Sequence, residues 1–305
     1  MNEVISVTNL SKSYGQLKAV DNISFSIKQG ALFAFLGPNG AGKSTTINII
    51  CTLLGKTDGK VLVSGYEVGK ENAKVRENIG VVFQDNVLDD LLTVKENLTS
   101  RAALYKNNKT DIKKRVIEVA DIMDINEILN RRYGKLSGGQ KRRTEIARAL
   151  MTSPKILFLD EPTTGLDPQT RLNVWKTINA LQKKLNMTVF LTTHYMEEAA
   201  EADDVAIIDN GKIVAQGTPN ELKALYSTDT LKISANDADV MKKLLTDKGY
   251  QYSQVSDMLY IKVKNSIEAF TLLKECEGNF NAFEMLRGTM DDVFINITGH
   301  KIREE

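Results

Sequence analysis

Ala31-Leu32-Phe33-Ala34-Phe35-Leu36-Gly37-Pro38-Asn39-Gly40-Ala41-Gly42-Lys43-Ser44-Thr45 decides the fold of this chain of 305 residues. Its first six residues are a continuous apolar run, the pattern of a strand buried on both faces of a parallel sheet. A glycine loop follows at once, and Ser44–Leu54 then reads as a helix. Strand, glycine loop and helix in this order are the setting a phosphate-binding loop requires. Gly37, Gly40 and Gly42 carry no side chains, so backbone N–H groups can curl around a polyphosphate. The helix opening at Lys43–Thr45 turns its positive dipole end to the same anion. Lys43 would reach the β- and γ-phosphates as a point charge, and the Ser44 hydroxyl would ligate Mg²⁺.

Two further stretches carry chemistry. Ile156–Leu159 is another buried strand, and Asp160 falls at its C-terminal end, where open α/β sheets bind ligands. A carboxylate there can hold Mg²⁺ through water. Glu161 is adjacent, would point the other way if the strand continued, and is placed to polarise an attacking water. Alone, such an acidic pair is more often a helix cap or a solvated turn; the upstream phosphate loop reverses that weighting. Leu136-Ser137-Gly138-Gly139-Gln140 precedes a helix carrying Lys141, Arg142, Arg143 and Arg148. It reads as a second anion-binding helix terminus, with two glycines permitting close backbone approach to a phosphate. Alone, it would be a flexible loop capped by a serine.

Gly37–Thr45, Leu136–Gln140 and Ile156–Pro162, in that order, resemble the ATP-binding cassette family, whose ATPase subunits drive membrane transporters. The resemblance covers roughly residues 3–225. It implies ATP and Mg²⁺, with Gly37, Pro38, Asn39, Gly40, Ala41, Gly42, Lys43, Ser44 and Thr45 around the phosphates and Ser44, Gln84 and Asp160 toward the metal. Gln84 matches the glutamine that contacts Mg²⁺ and the attacking water. His194, after Thr188–Thr193, matches the switch histidine at the γ-phosphate. The implied catalytic set is therefore Lys43, Gln84, Glu161 and His194. Tyr14 matches the aromatic that stacks on adenine; its plainer reading is a tyrosine closing a turn. Asp167, in Gly165-Leu166-Asp167, matches the aspartate that links two sites across a dimer. In this family Ser137, Gly138, Gly139 and Gln140 face the phosphate loop of the other subunit, so the resemblance implies a head-to-tail homodimer or heterodimer with two ATPs between the subunits. His300 has no such support and reads as a surface residue.

Gln84–Leu98 is similar to subunits of drug-resistance and polysaccharide-type exporters. Met290–Gly299 is similar to the tail of the daunorubicin-resistance type of ATPase subunit. The resemblance thus implies export of drugs or other amphipathic compounds. An importer ATPase, or a non-transport cassette protein acting on ribosomes or DNA, is the alternative.

Composition bounds these readings. Hydrophobic residues make up 42%, enough for a sizeable core. With 40 basic against 39 acidic residues, the net charge of +1 gives little electrostatic drive toward nucleic acid, and no nucleic-acid partner is expected. Cys51 and Cys276 form no pair motif, which suits a reduced chain, and no zinc-ligand spacing occurs. The start, Met1-Asn2-Glu3-Val4, lacks the pattern of a signal peptide. No apolar run approaches the ~18 residues of a membrane span. The expected partner is a separately encoded transmembrane permease subunit, with this chain peripheral on the cytoplasmic face of the cell membrane.

The predicted fold class is α/β: a P-loop NTPase cassette with an antiparallel β subdomain and a helical insertion, plus a small C-terminal α+β domain. Ile23, Phe25 and Ile27 alternate with Ser24 and Ser26, as in a half-buried antiparallel strand. The cassette is expected over residues 1–225, with the insertion at about 86–150, where Ile112, Val116, Val119, Ala120 and Met123 recur at helical spacing. Asn210-Gly211 marks a hairpin. Residues 226–305 alternate strand and helix in a roughly ferredoxin-like order, with Thr289 as the N-cap of a last helix and a possible dimer-stabilising role.

Overall fold

The computed structural model describes residues 3–105 and 108–299, so His300 lies outside the described residues. The chain divides into two compact units, one running to Gln216 and one from Gly217.

In the first unit, β1 (Glu3–Tyr14), β2 (Leu17–Lys28), β4 (Asp58–Val63) and β5 (Tyr66–Glu67) form an antiparallel sheet in the order β2-β1-β4-β5. The second sheet runs β10 (Lys212–Gly217), β9 (Asp204–Asp209), β3 (Leu32–Leu36), β8 (Thr188–Thr193), β7 (Ile156–Asp160), β6 (Ile79–Val82), and its β9-β3-β8-β7-β6 pairs are parallel. Every residue of β3, β7 and β8 is buried, including Asp160 and the threonines Thr188, Thr192 and Thr193 that interrupt the apolar runs of β7 and β8. The sheets meet through rings: Phe25 of β2 stacks on Phe33 of β3 at 5.4 Å, and Phe35, Phe158 and Phe190 extend the cluster. Truncating one such ring to alanine costs about 3–5 kcal/mol, so this cluster fixes the base under the glycine loop.

Helix α1 (Lys43–Ile50) stops short of the predicted Leu54, because Thr52 turns left-handed at φ 64°. Between β5 and β6 lies α2 (Asn72–Asn78). The region after β6 is helical as expected: α3 (Val94–Ala103), α4 (Lys109–Met123), two single 3₁₀ turns and α5 (Gly138–Leu150). The five residues with the helical recurrence all form the buried face of α4. Two more helices, α6 (Pro168–Leu185) and α7 (Met196–Ala200), flank β8. Asn210 and Gly211 take φ of 46° and 77°, the two left-handed positions of the predicted hairpin turn.

In the second unit, α8 (Pro219–Tyr226) precedes β11 (Asp229–Ala235), α9 (Ala238–Asp247), β12 (Tyr252–Val255), β13 (Met258–Val263), α10 (Ser266–Glu275), β14 (Phe280–Leu286) and α11 (Met290–Thr298). The antiparallel order β12-β13-β11-β14 is the ferredoxin-like arrangement. Leu231, Ile233, Leu259 and Ile261 turn one sheet face onto Met241, Leu245 and Leu272. Thr289 caps α11 through a reciprocal bond pair with Asp292.

Candidate functional site

The phosphate loop joins β3 to α1. Gly42 occupies the N-cap of α1 at φ 107°, and no side chain caps the helix. A Cβ on Gly42 would stand 2.4 Å from the Ala19 carbonyl oxygen, so both conformation and space demand glycine there. The first amides of α1 therefore meet no capping side chain, the arrangement that receives an anion. Lys43 folds back over the loop and donates to the carbonyls of Gly37 at 2.8 Å and Pro38 at 3.0 Å. Its ammonium also lies 3.4 Å from Glu161 Oε1, both groups being buried. Burial pushes the Lys43 ammonium below its usual range, with the Glu161 charge working against the shift. An arriving phosphate would relieve that cost.

A cleft of about 280 Å³ opens over these groups, lined by Asn39, Gly40, Gly42, Lys43, Ser44, Thr45, Gln84 and Glu161. Asp160 ends β7, which lies between β8 and the edge strand β6, and Glu161 follows it. Their geometry corrects one expectation. The strand does not continue through Glu161; its φ is 44°, a left-handed turn that swings its carboxylate to Lys43 instead of the opposite face. Thr192 on β8 fixes both residues. Its hydroxyl donates to Asp160 Oδ1 at 2.5 Å, and its oxygen accepts from the Glu161 amide at 3.0 Å. Burial pushes the Asp160 carboxyl above its ordinary range, only partly offset by Thr192. Glu161 moves oppositely: the neighbouring His194 and the Lys43 charge outweigh burial and hold its carboxyl down to about 2.

Ser44 Oγ lies 3.5 Å from Asp160 Oδ1. Two hard oxygen donors this close, one a buried carboxylate short of positive charge, suit Mg²⁺, which takes few protein ligands and completes its shell with water and phosphate oxygens. Gln84, just after β6, donates through Nε2 to Glu161 Oε2 at 3.5 Å. Thr164 Oγ1 donates to the same oxygen at 3.2 Å. His194 Nδ1 lies 3.3 Å from it, without the alignment of a hydrogen bond.

The remaining predicted residues stand apart from this cleft. Tyr14 is half exposed, outside the cleft lining, and carries the Lys12 ammonium 5.0 Å from its ring centroid. Asp167 caps α6, accepting from the Thr170 amide at 2.9 Å. Ser137 and Gln140 form a capping box at the head of α5, and none of Ser137–Gln140 lines the cleft. Three of the basic residues behind them make ion pairs within the chain. Lys141 pairs with Asp90, Arg143 with Asp124 and Arg148 with Glu145.

Arg142 was the residue hardest to foresee. It is buried and donates to four carbonyls: Pro162 and Phe83 at 2.6 Å each, Asp160 at 3.0 Å and Glu161 at 3.1 Å. Burial pushes its guanidinium down to about 10, still a cation at neutral pH. A signal did exist: Arg142 precedes Ile146 by one turn, on the apolar stripe of α5, where a charge must find partners. Glu198 of α7 is a similar case. It is buried and accepts from Thr193 at 2.5 Å and Trp175 at 3.1 Å, and from Thr163, which ties the residue before His194 to the segment after Glu161.

A strand-loop-helix phosphate cradle, with paired carboxylates at the end of β7, separated from β3 by β8 alone, defines a P-loop nucleotide-binding protein. Comparison with known proteins narrows the class. The ABC transporter family description matches residues 20–164, and that of the ATP-binding protein DrrA1-3-like C-terminal domain matches residues 217–298. The chain is 34% identical to the daunorubicin/doxorubicin resistance ATP-binding protein DrrA of Streptomyces peucetius, over 97% of this chain and 92% of that one. It is 35% identical to the linearmycin resistance ATP-binding protein LnrL of Bacillus subtilis, over 99% and 100%. Among solved structures, cbiO1 from Clostridium perfringens, part of the ABC transporter complex cbiONQ, matches with a TM-score of 0.69 at 31% identity, over 81% of this chain and 96% of that one. The dimeric ATP-binding cassette MJ0796 in a post-hydrolysis state, bound to ADP and Pi, matches at 0.64 and 30% identity, over 70% and 98%. The chain belongs to the ATP-binding proteins of the ABC transporter family, in the group that carries the DrrA-like C-terminal domain.

Proposed function

We propose that this chain binds and hydrolyses ATP and thereby powers the export of drugs or other amphipathic compounds through separate membrane-spanning subunits. The observation that carries the reading is the buried Lys43–Glu161 pair beneath an uncapped α1. The β- and γ-phosphates of ATP fit the amides of Gly40–Thr45 and draw Lys43 off its carbonyl and carboxylate partners. Glu161, released from Lys43 and held by Gln84 and Thr164, orients water for in-line attack. His194, beside the same oxygen, faces the γ-phosphate. Ser44 and Asp160 would hold Mg²⁺, which neutralises charge on the phosphates. Catalysis is then positioning and charge stabilisation, with little covalent work for the protein.

The second site component comes from another copy of the cassette. Ser137–Gln140 lie outside the cleft of their own chain, and the MJ0796 cassette is dimeric. Tyr14 would release Lys12 to stack on adenine, and Asp167 would join the two sites. Export is favoured over import because the relatives aligned along nearly the whole chain are named for resistance. Among the described residues no helix is long and apolar enough to cross a membrane. In this reading the spans belong to a partner, and this chain docks on it from the cytoplasmic side. The second unit would strengthen pairing of the two copies.

The test is phosphate release by the purified chain. Glu161→Gln is expected to lower turnover by about 10²- to 10⁴-fold and to trap an ATP-dependent dimer on size exclusion. Normal turnover in that variant would remove Glu161 from its role, and Lys43→Ala should weaken nucleotide binding. Co-purification from gently solubilised membranes addresses the transport half: a stoichiometric membrane-spanning partner is expected, and recovery with ribosomes would refute it.

A further inference from the structure

Helix α5 grips the loop that begins at Gln84 from both ends. At its near end, Arg142 donates to the Phe83 carbonyl, with its other donors on the carbonyls of Asp160, Glu161 and Pro162. At the far end, Glu145 Oε1 accepts from the amides of Val87 at 2.8 Å and Leu88 at 3.0 Å. Tyr133 donates to the same oxygen at 3.2 Å, and Arg148 holds the other carboxylate oxygen at 2.8 Å. Arg142 and Glu145 are both buried and lie three residues apart on one helix face. A cation buried on a helix face must find partners, and this one meets four main-chain carbonyls from two separate segments. What the planar guanidinium supplies is geometry: one rigid fork sets the Gln84 backbone against the Glu161 backbone.

We infer that Arg142 and Glu145 are positioning residues that lock the Gln84–Leu88 loop and the Glu161 turn into one body with the helix that carries Ser137–Gly139. The inference rests on the ATPase reading above. A shift of the loop moves α5, and α5 moves the carbonyl on which the Glu161 side chain is hung. Neither residue lines the cleft. Both act through Gln84 and Glu161, so their loss should fall on turnover and spare nucleotide affinity.

The test uses the full-length chain. Arg142→Lys keeps the charge but cannot span four carbonyls. It is expected to lower kcat by about tenfold or more, with KM for ATP within about twofold, because a small misplacement of reacting groups is expensive in rate. On a Glu161→Gln background, measured in single turnover, the same substitution should add less than about twofold, since residues acting as one unit are not additive. Glu145→Gln, which leaves Arg142 in place, should lower kcat several-fold at unchanged KM, and it carries the test if Arg142→Lys does not fold. The inference is overturned if kcat is unchanged in the folded variants. It is equally overturned if the loss recurs in full on the Glu161→Gln background, or if affinity falls in step with rate. A wild-type chain that releases no phosphate overturns the ATPase reading itself; a hydrolysing wild type matched by its variants overturns this inference alone.

Discussion

Helices α1 and α5 begin alike in sequence and differently in structure. Each follows a glycine-rich stretch, and each is a candidate phosphate-binding terminus. At α1 the cap is Gly42 in a left-handed conformation, with no side chain bonded to the first turn. At α5 the Ser137 oxygen takes the Gln140 amide and the Gln140 oxygen takes the Ser137 amide, closing the terminus on itself. Their cations differ too. Lys43 lies in the cleft beside Glu161, whereas Lys141, Arg142, Arg143 and Arg148 are spent on Asp90, backbone carbonyls, Asp124 and Glu145. One terminus is shaped to accept an anion within a single chain. The other is satisfied in a single chain and can offer only what its capping serine and two glycines present to a neighbour.

The comparison breaks most visibly at Gly42. Alanine there must hold φ near 107° and set its Cβ against the Ala19 carbonyl, an obstacle of backbone that cannot rotate away. Strain of this kind is worth about 1–3 kcal/mol. Since the strained turn is also the phosphate cradle, Gly42→Ala is expected to lower ATP-analogue affinity at least tenfold in equilibrium binding. Gly139→Ala meets the Thr170 methyl group instead, at 2.4 Å, a side chain of the same chain. It should disturb packing between α5 and α6 while leaving single-chain affinity within about twofold. Equal losses in the two variants would erase the distinction between the termini.

The contrast also marks how far the sequence could be read. Strand, loop and helix at residues 31–50 were legible because the apolar run and the glycines occur only where burial and a tight turn coincide. The ferredoxin-like unit was legible from the order of its strand-like and helical segments, with burial alternating along β11 and β13. Strand β12 was not: its exposed edge carries Tyr252, Ser253, Gln254 and Val255, which show no buried face. Helix α8 was missed although Thr218, Pro219 and Glu221 spell a capping box with proline at the first turn. The left-handed turns at Thr52 and Glu161 had no signal, because tertiary bonds impose a positive φ on residues that do not favour it. Of the candidate site, Lys43, Ser44, Gln84, Asp160, Glu161 and His194 converge, but their mutual bonds could not be foreseen from spacing alone.

Charge sharpens the comparison on the α1 side. Glu161 ordinarily titrates near 4.5 and is held at about 2 in the folded chain. A carboxyl depressed on folding stabilises the fold fully above its unfolded value and loses that contribution as pH falls through the folded one. The window is therefore about pH 4.5 down to 2, with a contribution on the order of 3 kcal/mol. Melting temperatures followed from pH 6 toward 3 should fall more steeply for wild type than for Glu161→Gln. Asp160, raised by burial, works in the opposite sense and is common to both proteins. Parallel acid limbs would show that the Lys43 and His194 neighbours do not stabilise the ionised Glu161.

The smallest effect tests the α5 side. Ser137→Ala removes a capping box and should cost about 1 kcal/mol of stability. That cost alone does not say whether Ser137 serves its own helix or a phosphate held by another copy. Ser137→Asp separates the two, because aspartate caps as well as serine but sets a carboxylate where an anion would approach. If Ser137 only caps, Asp restores both the melting temperature and the ATPase rate. If α5 faces phosphate across a pair of chains, Asp restores the melting temperature while the rate stays low, and affinity for ATP in the dilute single chain is unchanged. Recovery of both in Ser137→Asp would leave α1 as the sole nucleotide-facing terminus, and the dimeric reading of the site would fall with it.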